Sequence, residues 1–394
     1  MNAQPTLFIN RLTTVDCALL SHWGVSVKER VFAEALGFSF NVSVELSGKL
    51  DPVENVVVDF GALKKSLKAE IDHIDYGYDH KLIVPKCFLE TDDELLTFSV
   101  GETDTIVKNG GVEILKVPNN ALRYTQTDYL TSRLSESVGF IESMIYRDYD
   151  EKNGFIQNSN GNGLIELLGA LGLELKEFLQ SRVDILYPNQ GIVIERVRCD
   201  CDVTLPNPLF LFDSDVPNTA QRCVTNFFSY THGLKKSTSM GCRNIVHGHL
   251  SYIQLVGSAK VCATKEFVEY TAKVSDLCNS IASDLNCAHF AHKENLVVSD
   301  DGSTLQDKYN ADGRGEFAAV ISAKSDIPSH KNGGTSQSLF SKTVEVDDES
   351  TIENLTRYIF DTYKEELLGL DICTIYVSEG LHKGSYYHVK SKSN

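Results

Sequence analysis

Phe228-Ser229-Tyr230-Thr231-His232 and, after a short interval, Cys242-Arg243-Asn244-Ile245-Val246-His247-Gly248-His249 are the stretch from which the rest of the chain can be read. Residues i and i+2 of a strand point to the same face, so His247 and His249 can offer two ring nitrogens to one metal ion, with His232 arriving from the neighbouring strand. Three histidines and one open position make the donor set of a catalytic zinc site. Cys242 fits that site in two ways: as a fourth ligand, or as a thiolate general base whose pKa is lowered beside a cation. An isolated His-Gly-His reads as a surface turn; the third imidazole and the thiol argue against that here.

Outward from this stretch the pattern repeats. Residues 250–257 (LSYIQLVG) alternate like a strand, Phe267-Val268-Glu269-Tyr270 leads into a helical pattern over 272–285, and His292-Lys293 follows. In the first half, residues 39–48 (SFNVSVELSG) alternate in the same way, VVVDF at 56–60 leads into a helical pattern over 62–74, and Asp79-His80-Lys81-Leu82 closes it. A second pair matches the helix 163–179 and strand 183–187 with the helix 350–368 and strand 372–377, each helix carrying a glutamate in its first turn, Glu166 and Glu353. The reading is a tandem α+β chain, with domains 1–205 and 206–394 meeting in a turn-rich segment. Residues 119–162 form an insertion ending in NGFIQNSNGNG, and the polar, Gly-rich 299–338 plays a similar part in the second half.

Composition bounds the function. The 394 residues are 42% hydrophobic and 23% charged, an ordinary globular balance. A net charge of -17 repels a phosphate backbone, so nucleic acid is excluded as a partner, although a local cluster of lysines can still hold a small anion. Ten scattered cysteines lack the regular spacing of a disulfide-stapled secreted domain. With no signal peptide and no apolar run of membrane-spanning length, the expected location is cytoplasmic and no membrane partner is expected.

These residues resemble the T-fold (tunnelling-fold) synthases that convert dihydroneopterin triphosphate, the 6-pyruvoyltetrahydropterin and 6-carboxytetrahydropterin synthase family. The shared pattern is an aromatic-rich strand ending in His, a Cys shortly before His-Gly-His, an acidic-aromatic pair opening a helix, Asp-His, a Glu-Asn helix start and a final strand ending in Glu. The second half shows nearly all of it.

The resemblance implies that His232, His247 and His249 hold Zn2+, that Cys242 is the catalytic thiolate, that Glu379 anchors the pterin and that Glu353 supports the pocket. A carboxylate suits the anchoring role because it accepts two parallel hydrogen bonds from an aminopyrimidinone edge. In the second half the Asp-His pair is found only as Ala291-His292, with His289 competing for the place; His292 is thus a catalytic candidate without its aspartate. The first half departs oppositely. Leu36-Gly37-Phe38 stand for His-Gly-His, Leu19 for the first His and Gln190 for the anchoring Glu, yet Asp79-His80 is intact.

In the family the site lies between subunits, so complementary losses imply a composite site in which the N-terminal half lends Asp79 and His80 to the C-terminal half. The expected fold is two T-fold domains, each a four-stranded antiparallel sheet with two helices, joining into a barrel in a homo-oligomer. The expected activity is that of a carbon-oxygen or carbon-carbon lyase on a pterin triphosphate. It is read as the 6-carboxytetrahydropterin synthase type of the 7-deazaguanine (queuosine) route, with 6-pyruvoyltetrahydropterin synthase activity and a non-catalytic pterin- or purine-binding scaffold as the alternatives.

Overall fold

In the computed structural model the residues described are 6–23, 32–49, 57–90, 96–109, 111–126, 161–203, 219–260, 264–311, 313–323, 338–340 and 342–389. The first half runs β1 (Thr6–Trp23), β2 (Phe32–Ser47), α1 (Phe60–Ile71), β3 (Leu82–Val84), α2 (Cys87–Glu90), β4 (Leu96–Val100), β5 (Asp104–Asn109), β6 (Val112–Pro118), β7 (Leu122–Tyr124), α3 (Gly161–Leu186) and β8 (Val193–Asp200). The second half runs β9 (Thr219–His232), β10 (His247–Lys260), α4 (Thr264–Leu285), β11 (Ala288–His292), β12 (Leu296–Val298), β13 (Thr304–Ala311), β14 (Gly315–Ala323), β15 (Lys342–Val346), α5 (Ile352–Thr362), α6 (Lys364–Gly369), β16 (Ile372–Glu379) and β17 (Lys383–His388).

The local signals are physical. Asp59 caps α1 by accepting from Ala62 N at 2.6 Å, and the Thr351 side chain caps α5. In α3 the buried positions Leu168, Leu171, Leu175, Leu179 and Val183 recur at helical spacing. That spacing carries the helix through the residues expected to form a strand at 183–187. The strand begins only at Val193, after Pro188 and a left-handed Gly191.

Two sheets share one topology. The first has the order β7-β3-β1-β2-β8 and the second β15-β11-β9-β10-β16-β17. They therefore have five and six strands, and they are mixed where four antiparallel strands were expected. The reason is the helical crossover: α1 and α4 return the chain on the far side of β1 and β9, where β3 and β11 run parallel to them. A third sheet, β12-β13-β14-β6-β5-β4, takes three strands from each half, joined through β14 and β6. The segment 299–338, expected as a surface insertion, thus supplies two strands of that sheet. Most of the insertion expected at 119–162 lies outside the described residues, as does the expected domain boundary near 205. All three sheets are open among the described residues, so no barrel closes within them.

One core packs α1 and α3 on the first sheet through Leu63, Leu67, Leu171 and Phe178; another packs α4 and α5 on the second through Val274, Ile281, Leu355 and Ile359. Away from the helices the two sheets cross each other, which leaves β2 and β10 buried on both faces. The crossing point is glycine on glycine. A Cβ on Gly37 would lie 1.8 Å from Tyr230 O, and one on Gly248 would lie 2.7 Å from the Gly37 Cα. No helix among the described residues is long and apolar enough to cross a membrane.

A candidate metal and acid-base site at the sheet crossing

His232 closes β9 and His247 opens β10 directly opposite it, with His249 two residues on. All three side chains are buried, and one ligand atom from each lies within 4.8 Å of the others. Two Nδ1 atoms are held from outside the cluster: His232 donates to Ser350 O at 2.9 Å and His247 to Asn244 O at 2.7 Å, while His249 Nδ1 has no hydrogen-bond partner among the described residues and lies 3.2 Å from Asp16 Oδ1. A carbonyl only accepts, so the protons of His232 and His247 sit on Nδ1 and their Nε2 atoms are bare. His232 Nε2 is 3.2 Å from His249 Nε2, and His247 Nε2 is buried with no hydrogen-bond partner among the described residues. Burial, reinforced by His249, lowers the His232 pKa to about 3; burial and the neighbouring imidazoles put His247 well below its ordinary value. Two neutral imidazoles with bare Nε2 atoms, and a third ring nitrogen within 4.8 Å of them, fit a divalent cation.

The second group comes from both halves. Asp79 Oδ1 accepts from Asp16 N at 2.9 Å, and Oδ2 is 2.6 Å from His80 Nδ1. His80 stands in the left-handed region at φ 55°, its N–H donating to Asp16 O at 2.6 Å and its carbonyl accepting from Asn244 Nδ2. Its ring centroid is 4.9 Å from that of His247, and ligand atoms of His80, Cys242 and His247 lie within 4.8 Å of one another. Gly241 permits this approach, since a Cβ there would be 2.9 Å from His80 Cβ. Burial opposes charge on His80, but Asp79 and Cys242 outweigh it and push its pKa well up. Burial likewise raises Cys242, and His80, Ser239 and Lys383 outweigh it, leaving the thiol below its ordinary pKa.

Glu379, at the end of β16, has Oε1 4.0 Å from His249 Nε2 and Oε2 3.1 Å from Lys383 Nζ. Despite burial, His249 and Lys383 hold its pKa below the ordinary value. Asp79, His80, Cys242, His232, His247, His249 and Glu379 are therefore gathered in one place, and within a single chain.

His292 and Glu353 are not drawn into that group. His292 bonds Asp347 O at 2.9 Å and lies 3.7 Å from Glu349. Glu353 is exposed in the first turn of α5, and Ser350 just ahead of the helix is what reaches His232. His289 faces the third sheet, 3.1 Å from Asp307 and stacked on Phe340.

Register corrects two sequence equivalences. Leu19 opposite Leu36 matches His232 opposite His247, and Gly37 matches Gly248. On the same frame Asp79-His80 match Asn286-Cys287 rather than Ala291-His292. Asn286 Oδ1 accepts from Ser229 N as Asp79 does from Asp16 N, and Cys287 shares the positive φ of His80. Because the last strand of the first half starts later than expected, the match of Glu379 is Cys201 and not Gln190. Sequence reasoning missed Asp16, Asn244, Ser350 and Lys383. Only Asp16 left a signal, as a lone carboxylate inside the apolar run VDCALL.

Comparison with known proteins gives one family. Residues 223–390, less than half of the chain, match the family model described as 6-pyruvoyl tetrahydropterin synthase. Among solved structures, 6-pyruvoyltetrahydropterin synthase from Plasmodium vivax is 16% identical, covering 48% of this chain and 87% of its own at a TM-score of 0.28. The Plasmodium falciparum enzyme is also 16% identical, with 44% and 99% covered and a TM-score of 0.28. An uncharacterized protein from Wolinella succinogenes is 11% identical over 44% and 99%, with a TM-score of 0.27. No curated protein matches. The matched region, residues 223–390, holds His232, Cys242, His247, His249 and Glu379, and that part of the chain is similar to the 6-pyruvoyl tetrahydropterin synthase family.

Proposed function

We propose that the chain is a zinc-dependent lyase acting on 7,8-dihydroneopterin triphosphate, of the 6-carboxytetrahydropterin synthase type that serves 7-deazaguanine synthesis. The observation that carries this is the meeting of Asp79-His80 from the first half with Cys242 and the three histidines from the second. Zn2+ on the Nε2 atoms of His232, His247 and His249 would supply Lewis acidity to the hydroxyls of the substrate side chain.

The remaining work falls to this chain's own groups. Cys242 as thiolate takes a carbon-bound proton of the substrate side chain, triphosphate and then acetaldehyde leave as the carbon-oxygen and carbon-carbon bonds break, and imidazolium His80 returns a proton to the reacting carbons. Asp79 holds the His80 ring in place and keeps it charged through the 2.6 Å contact with Nδ1. Glu379 receives the aminopyrimidinone edge in a bidentate hydrogen bond, for which Lys383 has to yield part of its present contact.

The repeated strand order supports two T-fold domains, split near residue 205, each giving half of one site. The open sheet edges at β8, β15 and β17 support assembly into a homo-oligomer, where a barrel can close. A catalytic thiolate is best kept in a reducing cytoplasm. The test is to incubate the zinc-loaded protein with dihydroneopterin triphosphate and identify products by mass spectrometry, with Cys242→Ala as control. Carboxytetrahydropterin with acetaldehyde supports the reading, pyruvoyltetrahydropterin moves it to the other branch of the family, and intact substrate favours the non-catalytic pterin-binding scaffold.

A further inference from the structure

We infer that Asp16 is a positioning residue for the metal ligand His249, so that the first half of the chain helps to build the metal site as well as the proton relay. This rests on the three-histidine metal reading above. Two of the histidines have their Nδ1 held by main-chain carbonyls of their own half, Ser350 O and Asn244 O. The third has no such carbonyl partner among the described residues. Its Nδ1 is buried with no hydrogen-bond partner among the described residues, and the nearest carboxylate oxygen facing it across the sheet crossing is Asp16 Oδ1, 3.2 Å away.

Asp16 is itself firmly placed. It is 6% exposed in the middle of β1, Ser39 Oγ donates to its Oδ1 at 2.6 Å, and Lys383 Nζ lies 3.8 Å from Oδ2. Its main chain fixes the relay, with N donating to Asp79 Oδ1 and O accepting from His80 N. Room for the carboxylate comes from Gly380, where a Cβ would stand 2.5 Å from Asp16 Oδ1. The register-equivalent residue of the second sheet is Ser229, whose shorter side chain ends on Gly37 O at 2.7 Å. Serine would therefore suffice for the sheet crossing; the carboxylate adds the reach to His249.

A carboxylate beside Nδ1 keeps the proton there, leaves Nε2 bare toward the other two rings and fixes the ring plane. Loss of such an outer partner ordinarily lowers metal affinity by about 10–100-fold. The experiment measures Zn2+ affinity of the full-length protein by competition with a chromophoric chelator, with the visible spectrum of the Co2+-loaded protein as a second readout. The variants are Asp16→Ala, Asp16→Asn, His249→Ala and the double variant His249→Ala with Asp16→Ala, each checked for its fold by circular dichroism.

Asp16→Ala is expected to weaken Zn2+ by about 10–100-fold and to alter the Co2+ bands, with Asp16→Asn intermediate because its amide oxygen still accepts. In the His249→Ala background the same change is expected to cost nothing further, because the carboxylate then has no ring to hold. A wild-type protein that binds no Zn2+ removes the metal reading and this inference together. Wild-type binding with an undiminished Asp16→Ala variant removes the Asp16 inference alone. An equal loss in both backgrounds also overturns it, since Asp16 would then act on the fold and not through His249.

Discussion

The first and second sheets share a strand order and a register, and they differ in what they place at the crossing. Where the second sheet carries His232, His247 and His249, the first carries Leu19, Leu36 and Phe38, all buried in hydrophobic core. Where the first half supplies Asp79 and His80, the second has Asn286 and Cys287; where the second ends a strand on Glu379, the first has Cys201. A near-symmetric pair of sheets would make two related pockets. One is filled with apolar side chains, and the other collects the polar groups of both halves. The difference shows that burial alone does not make a site: Ser350 and Asn244 satisfy the second nitrogens of His232 and His247, and Asp16 stands 3.2 Å from that of His249.

The most severe way to break the comparison is to make the second sheet like the first. His247→Ala should cost the metal at least as much affinity as loss of an outer partner does, about 100-fold or more, and reduce turnover to background. Elemental analysis of the purified variant checks the first outcome, and a product assay the second. Full metal content in that variant would leave the three-histidine reading without support.

Next in size is Asp79→Asn, which touches only the first half. The amide keeps the shape but no longer holds a charged His80. Turnover should therefore fall by about 10²–10⁴-fold while bound metal stays stoichiometric. Unchanged turnover would make the first half a scaffold and end the idea of a shared site.

The reverse graft sharpens the contrast. Leu36→His places an imidazole at the position of His247, but the positions matching its companions His232 and His249 hold the apolar Leu19 and Phe38. It should bind no second metal ion and lower stability by about 2–4 kcal/mol, the lost burial of leucine added to an unsatisfied buried ring. Urea denaturation followed by circular dichroism measures this. A stable variant with a second bound ion would mean that the first pocket is merely unoccupied by ligands and otherwise competent.

Much of this was legible in the sequence, for identifiable reasons. His-Gly-His on a strand and an aromatic strand ending in His232 fix a local geometry by alternation alone, and Asp79-His80 stands out because it is adjacent in the chain. The third sheet was hidden because polar, Gly-containing turns flank β13 and β14, Asp300-Asp301-Gly302 before the one and Gly313-Arg314 between the two, so that 299–338 reads as loop although Phe317–Ile321 is apolar. The slip from Cys201 to Gln190 came from Val183, Ile185 and Tyr187, which alternate like a strand, while the helix that runs to Leu186 buries Val183 and exposes Ile185. Asp16 could not be assigned, since its partner lies on the other sheet and only the crossing at Gly37 and Gly248 brings them together.

The smallest expected effect concerns the pair that spans the two halves. Burial would raise the Cys242 thiol from its usual 9.0, but the neighbouring His80 imidazolium outweighs it and the pKa is lowered; burial would lower His80, but Asp79 raises it. With one value moved down and the other up, the pair is shifted toward thiolate and imidazolium. Cys242 should thus be alkylated by iodoacetamide with a midpoint below 9.0, read peptide by peptide to separate it from Cys17 and Cys199, whose thiols burial pushes well up. The sign for the variant follows. Removing the imidazolium in His80→Gln takes away stabilisation of the thiolate, so the midpoint should move upward by about 1 unit, near 1.4 kcal/mol, and alkylation at neutral pH should slow by about tenfold. A midpoint that stays put would mean that Cys242 is held down from within its own half, by Ser239 and Lys383, and that the division of labour between the sheets stops short of the thiol.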